Sequence, residues 1–364
     1  MMGRTVMFLV VACSTVSAAH ASLTIADVRL DRPRIDPSHN EVVTISFQLS
    51  EAAATTLHIF DGRGVEVRHV DSPVESASGA HELAWDGRDW RGIAVPAEAY
   101  VYTLSAAASN GERVEYDLTD LTGGETLTPR DVKWNASTGL ISYILDKPAR
   151  VNVRLGLQND GPLLRTLIDW VPRSEGQQNE PWDGMDANRA LNLSDHPSLA
   201  IGVNAFALPD NTIFVGAPPA VVHVVEQLPS PVVRRPGAGQ VKHMYDHAQQ
   251  NLESRGDYTI RLKLPQDLST HDGLPVVDRA TPLTIEADDR DRARVISRRF
   301  EPVYFVDGQF LFENEVGFLP MTWVWDPTTA SEGVHYLTVN LRGYEGNFGM
   351  ATRKVYVRHA AVKK

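Results

Sequence analysis

Apolar and polar positions alternate along the chain in short runs. In residues 42–49, Val43, Ile45, Phe47 and Leu49 share one side, and Thr44, Ser46 and Gln48 the other. A period of two over this length predicts a half-buried strand. Further runs follow at 55–60, 65–70, 81–85 and 100–106, then at 140–145, 150–155, 163–170 and 213–215. A third series occupies 258–264, 281–287, 303–306, 322–325, 334–341 and 353–357. Asp61-Gly62 and Asp86-Gly87 are turn signals between runs. Short strands at this spacing, separated by Gly, Pro and Asp, predict an all-β chain built of β-sandwiches. One stretch has a different period. Val241, Met244, Ala248 and Leu252 recur at helical spacing, so 240–254 is expected as a short helix ended by Gly256.

The pattern also repeats on a larger scale. Trp85-Asp86-Gly87-Arg88-Asp89 returns as Trp182-Asp183-Gly184-Met185-Asp186. The preceding strand Ile45–Leu49 is echoed by Ile141–Leu145, and Val95-Pro96 through Tyr102 by Leu208-Pro209 through Val215. Such a repeat is a repeated structural unit. Aligned this way, copy one spans 22–110 and copy two 115–226, with an insertion at 187–202 in the second. A Pro- and Gly-rich linker with the short helix covers 227–256, and a third sandwich covers 257–364. Within the motif, tryptophan is expected to anchor the two sheets. Asp86-Gly87 and Asp183-Gly184 turn the chain, and Asp89 and Asp186 accept backbone N–H groups. The eight residues Trp85, Asp86, Gly87, Asp89, Trp182, Asp183, Gly184 and Asp186 are thus read as structural.

Leu57-His58-Ile59-Phe60-Asp61-Gly62-Arg63-Gly64, Gly79-Ala80-His81, Trp85-Asp86-Gly87-Arg88-Asp89, Gly92, Val95-Pro96 and Tyr100-Val101-Tyr102 occur in this order. Over about 65 residues the first copy resembles the immunoglobulin-like domain of the flagellar hook-capping protein FlgD, found also in many exported bacterial proteins. With the repeat, the resemblance implies tandem immunoglobulin-like or fibronectin-like β-sandwiches used as spacers, scaffolds or binding modules, and no particular chemistry. Members of that family usually carry glycine where this chain has Glu98. Hook caps lack a cleaved leader of the kind described next, so the chain is not read as a hook cap.

Residues 1–21 read as an export signal: Arg4, an apolar run, and Ala19-His20-Ala21, which fits the A-x-A cleavage rule. The alternative is a lipoprotein anchored at Cys13, within Val10-Val11-Ala12-Cys13. The expected location is periplasmic or extracellular, with no transmembrane segment. Cys13 is the only cysteine, so no disulfide or zinc-thiolate site is expected. The net charge of −11 argues against a nucleic-acid partner.

Candidate chemistry is sparse. His243 and His247 share a helix face with Tyr245 nearby, but no glutamate stands in the base position of a zinc hydrolase. Glu286-Ala287-Asp288-Asp289-Arg290-Asp291 is a charged run, read as a turn, with calcium as its alternative. No nucleophile elbow or phosphate loop occurs. Trp90, Trp170, Tyr245, Phe310, Phe312 and Phe318 are aromatic candidates for sugar stacking, Trp90 foremost. No cofactor or metal is expected. The favoured function is a non-enzymatic exported scaffold, adhesion or assembly protein that binds another extracytoplasmic protein. It would use the 187–202 insertion and the 240–254 helix, with Trp90, His243, Tyr245 and His247 as binding residues. A carbohydrate-binding protein and a metal-dependent enzyme at His243 and His247 are the alternatives.

Overall fold

The computed structural model describes residues 22–72, 76–217, 255–344 and 346–359. Nearly all of the regular structure is β, arranged as three sandwiches, each around its own apolar core. The 240–254 helix expectation lies outside the described residues.

Module one opens with β1 (Ile25–Leu30), β2 (Arg34–Ile35), β3 (Val43–Leu49), β4 (Ala54–Phe60), β5 (Glu66–Asp71), β6 (Gly79–Trp85), β7 (Ala99–Ala107) and β8 (Arg113–Tyr116). One sheet runs β1-β3-β6. Val43, Ile45, Phe47 and Leu49 of β3 all point into the core, as the period-two pattern requires. Burial of each contributes about 1.5–3 kcal/mol.

Module two contains β9 (Thr126–Leu127), β10 (Arg130–Asn135), β11 (Leu140–Leu145), β12 (Ala149–Leu157), β13 (Leu163–Arg173), β14 (Gly176–Pro181) and β15 (Leu199–Ala207). Its sheets run β10-β11-β14 and β13-β12-β15-β9. Here the repeat alignment needs correction. The counterpart of β7 is β15, because both follow the tryptophan turn and pair with the equivalent strand, β12 or β4. The expected insertion 187–202 is therefore no insertion. Its first part is the motif turn, and Leu199–Gly202 begins β15. The Leu208-Pro209 echo of Val95-Pro96 had shifted the register by a whole strand.

The next strand, β16 (Thr212–Val215), was expected to finish copy two. It pairs instead with β7 of module one, Ile213 opposite Tyr100, and runs parallel to β2. β8 pairs with the other half of β7, Leu104 opposite Tyr116. The closing strand of module one thus comes in two pieces, with module two threaded between them. Ile213 and Val215 are buried in the core of module one. Asn211 secures the return: its side chain donates to the Tyr102 carbonyl at 2.6 Å, and its own carbonyl accepts the Tyr102 N–H at 3.1 Å.

Module three comprises β17 (Ile260–Lys263), β18 (Thr270–His271), β19 (Leu274–Val277), β20 (Thr281–Ala287), α1 (Asp289–Ile296), β21 (Phe300–Val306), β22 (Gln309–Glu313), β23 (Met321–Trp325), β24 (Gly333–Gly343) and β25 (Phe348–Val357). The sheets are β17-β20-β23 and β18-β19-β25-β24-β21-β22. The charged run 286–291, expected as a turn, ends β20 and opens α1. Asp288 caps the helix by accepting the Arg290 N–H at 3.2 Å, and Asp291 accepts the Thr259 N–H at 2.8 Å. Only Asp291 and Val295 of α1 are buried, so the helix shows no apolar stripe to read.

Candidate functional site

The tryptophan motif builds the same turn twice. Trp85 and Trp182 are buried, and each indole N–H donates to the backbone carbonyl three residues on, both at 2.9 Å. Gly87 and Gly184 adopt φ of +71° and +75°. A β-carbon there would meet Pro37 at 2.4 Å or Ser194 at 1.9 Å, so both conformation and space demand glycine. Asp89 accepts the N–H groups of Arg91 and Ile93, each at 2.9 Å. Desolvation pushes its carboxyl up, but these N–H donors and the Arg91 guanidinium outweigh that and hold it below the usual carboxylate range. Asp186 accepts the N–H groups of Ala190 and Leu191 at 2.6 and 2.9 Å. Asp86 and Asp183 each accept the N–H two residues on, at 3.1 Å.

The turn in module one lifts Trp90 out of the fold. It is 62% exposed, with the Arg91 guanidinium 5.5 Å from its ring centre, and Ile93 beside it is 55% exposed. Phe310 and Phe318 are also exposed. Two other aromatic candidates are not open to a sugar as expected. Trp170 is buried against Phe206, and Phe312 is half-buried, stacked on Trp323 at 5.0 Å. His243, Tyr245 and His247 lie outside the described residues. Among the described residues no three His, Cys, Asp or Glu side chains converge as a metal site.

What the sequence did not disclose is the place where the three modules meet. Arg150, Asn152 and Arg154 alternate with Val151, Val153 and Leu155 on β12. The valines and leucine face the core of module two, so the polar three face out, toward the other modules. Glu98 of module one accepts the Arg150 guanidinium at 2.8 Å and that of Arg255, at the entry to module three, at 2.6 Å. Arg255 also donates to the carbonyls of Asp169, at 3.1 Å, and Trp170. The Gly256 N–H reaches the Asp169 carboxylate at 2.6 Å. Asp257 accepts the Phe348 N–H at 3.0 Å and the Thr166 hydroxyl, and lies 3.6 Å from Arg154. Arg154 in turn donates to the Gly346 carbonyl at 2.8 Å and lies over the Phe348 ring. Burial raises the Glu98 carboxyl, but Arg150 and Arg255 overcome this and hold it below the usual range. Burial of Asp257 wins over Arg154 and raises its carboxyl. Glu98, where the family usually has glycine, is thus the shared acceptor for two modules. That single departure was the one signal of the junction in the sequence.

The geometry and the comparisons agree on module one. Residues 35–112 match the family model of the FlgD Ig-like domain. This is a FlgD-type immunoglobulin-like domain. The FlgD-type match stops before both β8 and β16, the two pieces of the closing strand. No curated protein matches the chain. The fibronectin(III)-like modules of Clostridium thermocellum CbhA share 11% identity over 93% of this chain and 97% of theirs, with a TM-score of 0.22. FlgD from P. aeruginosa shares 18% identity over 26% of this chain and 70% of its own, with a TM-score of 0.21. A tetra-tandem repeat from the extending region of a large adhesion protein shares 12% over 92% and 74%, with a TM-score of 0.20. Scores this low say nothing about role.

Proposed function

We propose that the chain is an exported, non-enzymatic scaffold or adhesion protein whose sandwiches present a fixed surface to another extracytoplasmic protein. The reading rests chiefly on the junction at Glu98. A chain of independent spacers needs no buried ion pairs between modules, whereas a scaffold that holds a partner in one orientation benefits from them. Export rests on the leader-like residues 1–21, with cleavage after Ala21 or lipidation at Cys13 as the two routes. The motif turn of module two and the start of β15 occupy 187–202, so deletion of that stretch would break the fold and is no test of partner binding.

The test is fractionation of producing cells followed by in-cell crosslinking of the tagged full chain. A 1:1 protein adduct in the extracytoplasmic fraction is expected. A cytoplasmic location, or a chain that crosslinks to no protein, contradicts the reading. Exposure of Trp90 favours a second reading, glycan binding, which calorimetry against a glycan panel would reveal as affinity lost in Trp90→Ala.

A further inference from the structure

Besides the Arg154, Thr166 and Asp169 contacts, module two holds module three through two further elements. On the edge strand β13, Leu163 donates its N–H to the Asn340 side chain at 2.8 Å and its carbonyl accepts the Asn340 amide at 2.7 Å. On the motif turn, Asn188 accepts the Thr352 N–H at 2.7 Å. Both donors and acceptors in module three sit on its adjacent strands β24 and β25. The grip is therefore a turn and a sheet edge closing jointly on two neighbouring strands of a sandwich.

The same two elements exist in module one, and hydrogen bonds fix the correspondence. Asp61 N–H to Val65 carbonyl matches Leu157 N–H to Pro162 carbonyl, so Glu66 stands where Leu163 stands. Trp90 N–H to Val67 carbonyl matches Ala187 N–H to Leu164 carbonyl, so Trp90 and Arg91 stand where Ala187 and Asn188 stand. Among the described residues nothing is gripped there in module one. Among the described residues β5 is the last strand of its sheet, and Trp90 and Ile93 are open to solvent. The residues there are also a different kind. Tryptophan and arginine on a preformed turn are the side chains that carry most binding energy at protein interfaces. The turn is already rigid, so little ordering entropy opposes docking.

We infer that the Trp90 turn and the β5 edge of module one dock an immunoglobulin-like sandwich module of a second exported protein, as module two docks module three. The inference rests on the scaffold reading and names the class of partner. Module three of a second copy does not fit, because Asn340 and Thr352 are already engaged within their own chain. A sugar would engage the Trp90 ring alone and leave the edge strand without a role.

A photoreactive phenylalanine analogue at position 90 of the full chain, produced from its own leader and irradiated in the cell, tests this. The same analogue at Val324, exposed on module three, serves as reference. The expected result is one protein adduct at position 90 whose crosslinked peptide maps to a strand of a β-sandwich module in another exported protein. Adding Ile93→Glu should cut its yield at least tenfold with an unchanged melting temperature. An adduct with glycan, lipid, this chain itself or a protein without such a module overturns the inference. So does an unchanged yield in the Ile93→Glu variant. Protein adducts at 324 and none at 90 remove the inference and leave the scaffold reading standing. No protein adduct at either position removes both.

Discussion

Trp85 and Trp90 stand five residues apart in opposite environments, one 1% exposed and the other 62%. Trp85→Ala should cost about 3–5 kcal/mol of stability, because it empties the centre of a sandwich. Trp90→Ala should stay within about 0.5 kcal/mol, as expected of a surface change. Urea titration of both variants checks the contrast. Glu98 is the more demanding residue. Glu98→Gln leaves two guanidinium groups buried beside an amide, and breaking a buried ion pair this way costs about 3–5 kcal/mol. The sign of its pH effect follows from its depressed carboxyl. The stability it contributes is complete above the unfolded value near 4.5 and is lost as pH falls below it. Asp257 acts oppositely, since its carboxyl is raised: the folded state favours its proton, and its contribution is lost as pH climbs through the raised value. Denaturant melts between pH 3 and 7 should therefore show a shallower acid-side loss in Glu98→Gln than in the unsubstituted chain. An equal or steeper loss would contradict the assignment.

Individual strands were legible because each needs only a local period and a turn. The 140–145 and 81–85 runs coincide almost residue for residue with β11 and β6. The destination of β16 was not legible. Thr212–Val215 reads as a strand, yet its partner Ala99–Val101 lies more than a hundred residues earlier, and nothing in an alternating run names its neighbour. Helix α1 was hidden for another reason: with two buried residues in eight, it carries no apolar face. The β16 pairing predicts an asymmetric mutant. Ile213→Ala should cost about 2–5 kcal/mol. Hydrogen exchange should speed up in β7 and β4 while β12 and β15 stay protected. Loss of protection in module two alone would place the strand in the wrong sandwich.

At the scale of the molecule, the modules are interleaved rather than strung in a line. Module two sits inside the closing strand of module one, and residues 255–257 tie module three to both. The sequence could announce three sandwiches, since each has its own strands. Beyond the unusual Glu98 it could not announce how they are joined, because Glu98, Arg150 and Arg255 converge only after all three have folded. A junction of this kind should hold the three modules as one rigid body. The most direct measurement is pulsed electron–electron spin resonance between labels at Glu82→Cys in module one and Val324→Cys in module three. Both positions are exposed, and the only native cysteine, Cys13, lies outside the described residues. A single narrow distance distribution that broadens on Glu98→Gln is predicted. A distribution already broad in the unsubstituted chain, and indifferent to Glu98→Gln, would contradict the account.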